Sequence, residues 1–181
     1  MSNQRRVQTK DTKMIKIGKD ISKFSSYSYK PTNKEELKEI INSRFDEEGT
    51  DCDLNDIDVS LVTDMSWLFA CNDFTGDISE WDVSHVTDMS WMFNGSKFNG
   101  DISKWDVSKV ESMVYMFNYS KFNKDISRWK MSSIKNMSYM FYASQFNQDI
   151  SNWEIRQDCT TNNMFHNCPI KEEHKPKLMQ K

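Results

Sequence analysis

Apolar residues recur at the same positions in successive segments of this chain, 24 residues apart. Segments 74–93, 98–117 and 122–141 align at this shift without a gap. A fourth segment begins at Phe146 and loses the pattern before an apolar pair returns in register, and the apolar residues of 54–69 lie one period earlier. Self-similarity at such a period is typical of a solenoid, in which each unit buries its apolar face against its neighbours.

The apolar spacing within one repeat predicts two short elements. Trp105 and Val107 flank Asp106, which fits a short strand with Asp106 turned outward. Residues 110–117 carry apolar side chains at helical spacing, which fits a short helix or 3₁₀ segment. Each strand is expected to extend a parallel sheet, about 4.8 Å from the previous strand. We therefore predict an α/β repeat solenoid with short parallel strands and short helices.

A capping helix is predicted before the first repeat. Thr32 and Glu35 have the spacing of a capping box, the apolar residues that follow share one helical face, and Gly49 ends the pattern. The resulting organisation is a basic, flexible N-terminal arm (1–30), a capping helix (31–50), five 24-residue repeats (51–168) and a C-terminal tail (169–181).

Charge is distributed unevenly along the chain. The net charge is −3, but residues 1–30 carry eight basic and two acidic side chains, a net of +6, which leaves −9 for the rest. Such an arm suits nucleic acid or an anionic membrane; it could equally dock on its own acidic body or be disordered. No stretch has the roughly 20 apolar residues of a membrane span, and the N-terminus lacks the apolar core of a secretory signal. This favours a cytoplasmic protein.

The four cysteines do not follow the period. Cys52, Cys71, Cys159 and Cys168 are expected to be free thiols of a reducing compartment. Cys159 and Cys168 lie near two histidines, but this spacing is unlike that of zinc sites. We predict no metal and no cofactor.

The repeat also resembles a known family. The pattern I-x-x-W-x-V-x-x-V-x-x-M-x-x-M-F, preceded by F-N-x-D, is similar to the short repeats of BspA-like leucine-rich-repeat surface proteins, over residues 54–165. In that comparison Trp81-Asp82-Val83 stands where the family has its L-x-L strand core. The resemblance implies a leucine-rich-repeat-like right-handed coil, an adhesion or interaction role, and a location at the cell surface.

One repeated column contains acidic residues. It consists of Asp53, Asp77, Asp101, Asp125 and Asp149, and in four units a serine follows two residues later. Such a ladder could bind calcium, or each aspartate could accept a hydrogen bond from the amide two residues on and form an Asx-turn.

A second set of residues should face outward from the predicted sheet and varies between repeats. We predict a bipolar partner-binding sheet face, acidic towards the N-terminus and basic towards the C-terminus, that steers a complementary protein. Its candidate residues are Asp58, Asp82, His85, Lys104, Asp106, Lys109, Arg128 and Lys130.

A third column is aromatic: Trp67, Trp91, Tyr115 and Tyr139. An α-helix would point these rings away from the core, as an interface, whereas a 3₁₀ segment would change their facing and could bury them between coils.

The sequence favours binding over catalysis. The three histidines do not recur and match no nucleophile, metalloprotease or phosphate-loop pattern. We therefore predict a non-enzymatic module that binds another protein. The alternatives are nucleic-acid or membrane binding through the basic arm, and self-assembly through the exposed end of the last repeat.

Overall fold

The structure, a computed structural model, describes residues 27–180. Most of the predicted basic arm therefore lies outside the described residues. Its last part pairs with the first repeat: the Ser28 N–H donates to the carbonyl oxygen of Asp56 (2.8 Å), and the Asp58 N–H donates to that of Tyr29 (2.8 Å). Lys30 adds an ion pair to Asp58 at 2.7 Å.

The predicted helix is present as α1, Lys34–Glu48. Its N-cap lies one residue later than the capping box predicted, because Asn33 adopts the extended cap conformation and its side chain accepts from the Glu36 N–H at 3.0 Å. The Glu36 carboxylate reaches back to the Thr32 N–H at 2.8 Å. Gly49 ends the helix at φ +91°, as predicted, and its N–H donates to the Phe45 carbonyl oxygen.

One face of α1 covers the start of the repeats. Leu37 and Ile41 are buried, and Phe45 packs against the rings of Phe69 and Phe74 at centroid distances of 6.5 and 5.6 Å. The helix thus shields the first apolar layer from water, which is the role that the sequence predicted for it.

Successive repeats stack with each residue beside its counterpart 24 positions along the chain. Isolated parallel bridges join Asp64 to Asp88, Asp88 to Ser112, Ser112 to Asn136 and Asn136 to Thr160. The core consists of aromatic columns that follow the same register, and neighbouring rings within a column are nearly parallel. These columns are Phe69–Phe93–Phe117–Phe141–Phe165, Phe74–Phe98–Phe122–Phe146 and the two tryptophan pairs Trp81–Trp105 and Trp129–Trp153.

The predicted fold class, an α/β solenoid of parallel strands and short helices, is wrong. Within residues 27–180 the only helices are α1 and the 3₁₀-helices Glu172–His174 and Lys177–Met179, and backbone pairing between repeats is limited to isolated bridges, without a sheet. Neither the strand expected at 105–107 nor the helix expected at 110–117 forms; both segments consist of turns and irregular backbone.

The segment expected to be helical has a regular alternation of hydrogen bonds instead. The N–H groups of Met89, Trp91 and Phe93 donate to carbonyl oxygens of the next repeat, 23 residues on. Those of Met92 and Asn94 instead donate to the carbonyl three residues back. Trp91 also has a positive φ of 62°. Residues 89–94 therefore match neither the geometry of a helix nor that of a strand.

The predicted facing of the side chains is nevertheless correct. Trp105 and Val107 are buried and Asp106 is exposed, and the apolar residues of 110–117 that follow at helical spacing are all buried. Burial follows the apolar period because each repeat has to cover its neighbour, whichever backbone conformation achieves this.

The C-terminal segment packs on the last repeat. The Ile150 N–H donates to the carbonyl oxygen of His174 at 3.0 Å, Ile170 is buried, and Met179 contacts the core. Residues 169–180, predicted as a tail, therefore cover part of the last apolar layer. None of the helices within 27–180 has the length and apolar character needed to cross a membrane.

Candidate interaction surface

The repeated aspartates form Asx-turns. The Ser79 N–H donates to Asp77 Oδ1 at 2.8 Å, and the same bond recurs in the following three repeats at 2.9 Å. The amide of Ser103 lowers the pKa of Asp101 in this way. This confirms the turn interpretation of the column.

Two shallow grooves, each of about 380 Å³, run along this column and have acidic rims. Asp77 and Asp101 line the first, and Asp125 and Asp149 line the second. Within residues 27–180, no three histidine, cysteine or acidic side chains are arranged to hold a metal ion.

The side chains predicted to lie on a sheet face do point to solvent, but the described residues form no sheet. Asp58 pairs with Lys30 and is only partly exposed, and Lys104 pairs with Glu80 at 3.2 Å. Asp82 and Asp106 accept turn hydrogen bonds from Ser84 and Ser108, and His85 Nδ1 lies 3.2 Å from the Ser84 hydroxyl.

The remaining three predicted residues, Lys109, Arg128 and Lys130, are exposed and make no ion pair within 4 Å among the described residues. Three of the four basic residues of the predicted surface thus lack an ion pair among the described residues, while Lys104 and several acidic members have partners.

The aromatic column forms one continuous stack, here called the aromatic ladder: Trp67, Trp91, Tyr115 and Tyr139. Its ring centroids are 4.4, 4.0 and 4.7 Å apart, and the planes of successive rings differ by only 6°, 18° and 1°. Trp67 is 50% exposed and the other three rings are partly exposed. Neither alternative from the sequence holds in full, since the segment is neither α-helical nor 3₁₀, but the rings do lie at the surface.

Every residue of the ladder has a strained backbone conformation. The four residues have φ between 58° and 63°, a region in which a bulky residue costs about 1–2 kcal/mol. Asn163, one period after Tyr139, has φ 53° and donates to the Tyr139 hydroxyl oxygen at 3.0 Å. An asparagine, which tolerates this conformation, therefore ends the ladder.

The tryptophans of the ladder differ from those of the core in their hydrogen bonds. The core indoles of Trp81, Trp105, Trp129 and Trp153 each donate to a carbonyl oxygen 27 residues earlier, at 2.9–3.1 Å. The indole N–H groups of Trp67 and Trp91 have no acceptor among the described residues. The ladder therefore presents polar donors together with apolar ring edges.

Further rings lie beside the ladder near Tyr139. Tyr142 lies 5.7 Å from Tyr139 and 5.7 Å from Tyr119, both tilted, and stacks on His166 at 5.2 Å. Tyr119, at 62% exposure, belongs to a second column of positive φ. Exposed rings in contact with one another are unusual on a solvated surface and are enriched at interfaces.

Sequence reasoning missed both columns of positive φ. The second consists of Cys71, Gly95, Tyr119, Ala143 and Asn167. Residues that favour this conformation, Gly95 and Asn167 here and Asn163 in the ladder column, were the available signal. It was obscured because tryptophan, tyrosine and alanine hold the equivalent positions in other repeats.

The cysteines are free, as expected. Cys52 is buried, Cys71 is exposed, and burial raises the pKa of the Cys159 and Cys168 thiols. The Cys168 thiol donates to the carbonyl oxygen of Phe146 at 3.1 Å, so it serves the packing of the last repeat.

The fold and its surface define a repeat protein built from stacked 24-residue units, each of which contributes to a continuous exposed column. The chain belongs to the family described as Mycoplasma protein of unknown function, DUF285, which matches residues 36–121 and 63–176. No curated protein and no solved structure matches the chain.

Proposed function

We propose that this chain is a non-enzymatic protein-interaction module and that the aromatic ladder is its contact surface. The observation that carries the proposal is the ladder itself, in which four stacked, partly exposed rings recur on residues held at positive φ. Backbone strain of this kind persists only where the surrounding structure fixes it, and it concentrates at functional sites.

The chemistry of the ladder suits a protein partner. Tryptophan and tyrosine contribute much of the binding energy at protein interfaces, because they bury large areas and carry a polar group at one edge. Stacking also holds the four rings in place before binding, so little side-chain entropy remains to be lost on association.

The resemblance to BspA-like leucine-rich-repeat proteins supports an interaction role. Placement in that family, and at the cell surface, remains part of this proposal. A cytoplasmic location is the alternative. Nucleic-acid or membrane binding through the basic arm also remains a prediction, and it concerns residues mostly outside the described range.

A test replaces the ladder without disturbing its backbone. Trp67, Trp91, Tyr115 and Tyr139 are changed together to asparagine, which tolerates positive φ and already follows them at position 163. The wild-type chain and this variant are used for affinity capture from native lysate, with quantitative mass spectrometry. Tyr119→Asn is the matched control, since Tyr119 is also an exposed ring at positive φ.

We expect proteins that the wild type and the Tyr119 variant retain to be lost from the ladder variant. Capture of the same proteins by all three chains would reject the ladder as the contact surface.

The unpaired basic residues are a second candidate surface. Arg128 and Lys130 make no ion pair among the described residues, so replacing both with glutamate should leave the melting temperature unchanged. If this variant loses the captured proteins and the ladder variant keeps them, the charged column is the contact surface.

A further inference from the structure

We propose that the ladder's partner is a cationic protein segment whose arginine side chain stacks on the open face of Trp67. This inference rests on the proposed function and specifies the chemistry of the partner at one end of the same surface.

The rings of the ladder differ in how many of their faces have a ring partner. Trp91 covers one face of Trp67, and the other face has no ring partner among the described residues. Both faces of Trp91 and of Tyr115 are covered by their neighbours in the stack. At the far end, Tyr139 contacts the Asn163 amide and the tilted ring of Tyr142. Trp67 is also the most exposed ring of the ladder, at 50%, so a planar group can stack on its second face.

The half of the chain that contains Trp67 is strongly acidic. Residues 31–96, which include Trp67, carry three basic and sixteen acidic side chains, a net of −13. Residues 97–181 carry thirteen basic and nine acidic side chains, a net of +4. An exposed ring face in such a negative half attracts cations both through the field of the protein and through its own quadrupole.

An acidic residue, Asp88, lies two positions before the backbone partner of Trp67. The Trp67 N–H donates to the carbonyl oxygen of Ser90 at 3.0 Å, and Asp88 precedes Ser90 by two residues. Asp64, the bridge partner of Asp88, is paired with Lys34 at 2.7 Å. Asp88 itself has no ion pair within 4 Å among the described residues, so its charge is not neutralised locally.

Shape selects arginine over lysine. A guanidinium is planar, weakly hydrated and stacks on an indole face, whereas an ammonium is compact and strongly hydrated. A cation of either kind would respond to the acidic field, but only the planar one would continue the parallel stack of the ladder.

The test uses the full chain and two synthetic peptides of equal charge, one alternating glycine and arginine and the other alternating glycine and lysine. Dissociation constants are measured by isothermal titration calorimetry at two ionic strengths. Trp67→Asn removes the open face and Trp67→Phe retains a ring. Tyr119→Asn, which removes an exposed ring at positive φ outside the ladder, is the matched control, and circular dichroism verifies that each variant is folded.

We expect the arginine peptide to bind about three- to tenfold more tightly than the lysine peptide. Trp67→Asn should remove this preference, whereas Trp67→Phe should keep part of it and Tyr119→Asn all of it. Higher salt should weaken both peptides, because the attraction is screened.

Equal binding of the two peptides, or an unchanged preference in Trp67→Asn, would overturn the proposal. If the arginine peptide binds only after Arg5 and Arg6 are replaced by glutamine, the cation at this face comes from the chain's own N-terminal segment, and the assignment to a partner is wrong. The peptides could show no arginine preference while the ladder variant still loses the captured proteins. That result would reject arginine recognition and retain the proposed interaction function.

Discussion

Replacing Trp105 with alanine should destabilise the stack at its centre. Trp105 is only 4% exposed, lies parallel to Trp81 at a centroid distance of 6.5 Å, and contacts Phe93 at 6.4 Å. Its indole N–H donates to the carbonyl oxygen of Ile78 at 3.1 Å. The substitution therefore removes a filled volume and one hydrogen bond together.

Most of the cost should come from the cavity. Truncation of a buried tryptophan to alanine costs about 3–5 kcal/mol. The hydrogen bond should account for the smaller part, about 0.5–1.5 kcal/mol, because the Ile78 carbonyl oxygen keeps a second donor, the Trp81 N–H at 3.2 Å. Trp105→Phe loses this hydrogen bond but keeps most of the apolar volume, so it should cost clearly less than Trp105→Ala.

Urea unfolding followed by circular dichroism measures both free energies. The matched control is Trp91→Ala, which removes a ladder tryptophan whose indole N–H has no acceptor among the described residues. Loss of its two stacked ring pairs should cost about 1–3 kcal/mol. If Trp105→Ala costs no more than Trp91→Ala, the assignment of Trp105 to the core and of Trp91 to the surface is wrong.

Three further substitutions test the turns of the repeat. Gly95→Ala should cost about 1 kcal/mol in thermal unfolding, because φ is +63° and the nearest atom would be at an ordinary contact distance; no loss would contradict the assigned backbone. Gly76→Ala should be far more damaging, since the added carbon would overlap the carbonyl oxygen of Cys52, and a mild effect would contradict that close approach. The Ser103 amide lowers the pKa of Asp101, so this carboxylate stabilises the fold above its unfolded pKa of about 3.9, and the contribution disappears as pH falls through the folded value. Asp101→Asn keeps the acceptor and should reduce the difference between the urea midpoints at neutral and acidic pH; an unchanged difference would count against this turn.

The interior of this protein was predictable because it is determined by the apolar period. Each inward side chain must meet its counterpart 24 residues away, so Trp105 and Val107 could be assigned to the core without knowledge of the backbone. The helix that covers the first repeat was predictable for a similar local reason: Gly49 and a single apolar face define it whatever follows.

The backbone conformation was not predictable from the same pattern of apolar residues. Apolar spacing of three and four residues favours a helix, but a repeated positive φ at bulky residues such as Trp91 and Tyr115 is a conformation that their intrinsic preferences oppose. Side-chain turns such as Asp101–Ser103 also compete with strand pairing by binding the local amide. Stacking between repeats stabilises both the positive φ values and the side-chain turns. The sequence of a single repeat does not reveal this stacking.

The candidate surface was predictable in its position and not in its geometry. The aromatic column was visible as a repeat in the sequence. Whether its rings would be exposed or buried was predicted from an α-helix or a 3₁₀ segment, and the structure contains neither at these residues. The stacking at 4.0–4.7 Å and the exposed face of Trp67 depend on a backbone with positive φ, which the apolar pattern did not indicate.

The indole N–H resonances of the chain test the interaction account most directly. The sequence contains six tryptophans. Four of them donate to backbone carbonyls in the core, and the N–H groups of Trp67 and Trp91 have no acceptor within residues 27–180. We predict that titration with a protein captured by the wild type and lost from the ladder variant shifts the signals of Trp67 and Trp91 in two-dimensional NMR spectra, while the four core signals stay in place. Binding that leaves Trp67 and Trp91 unshifted would contradict the account.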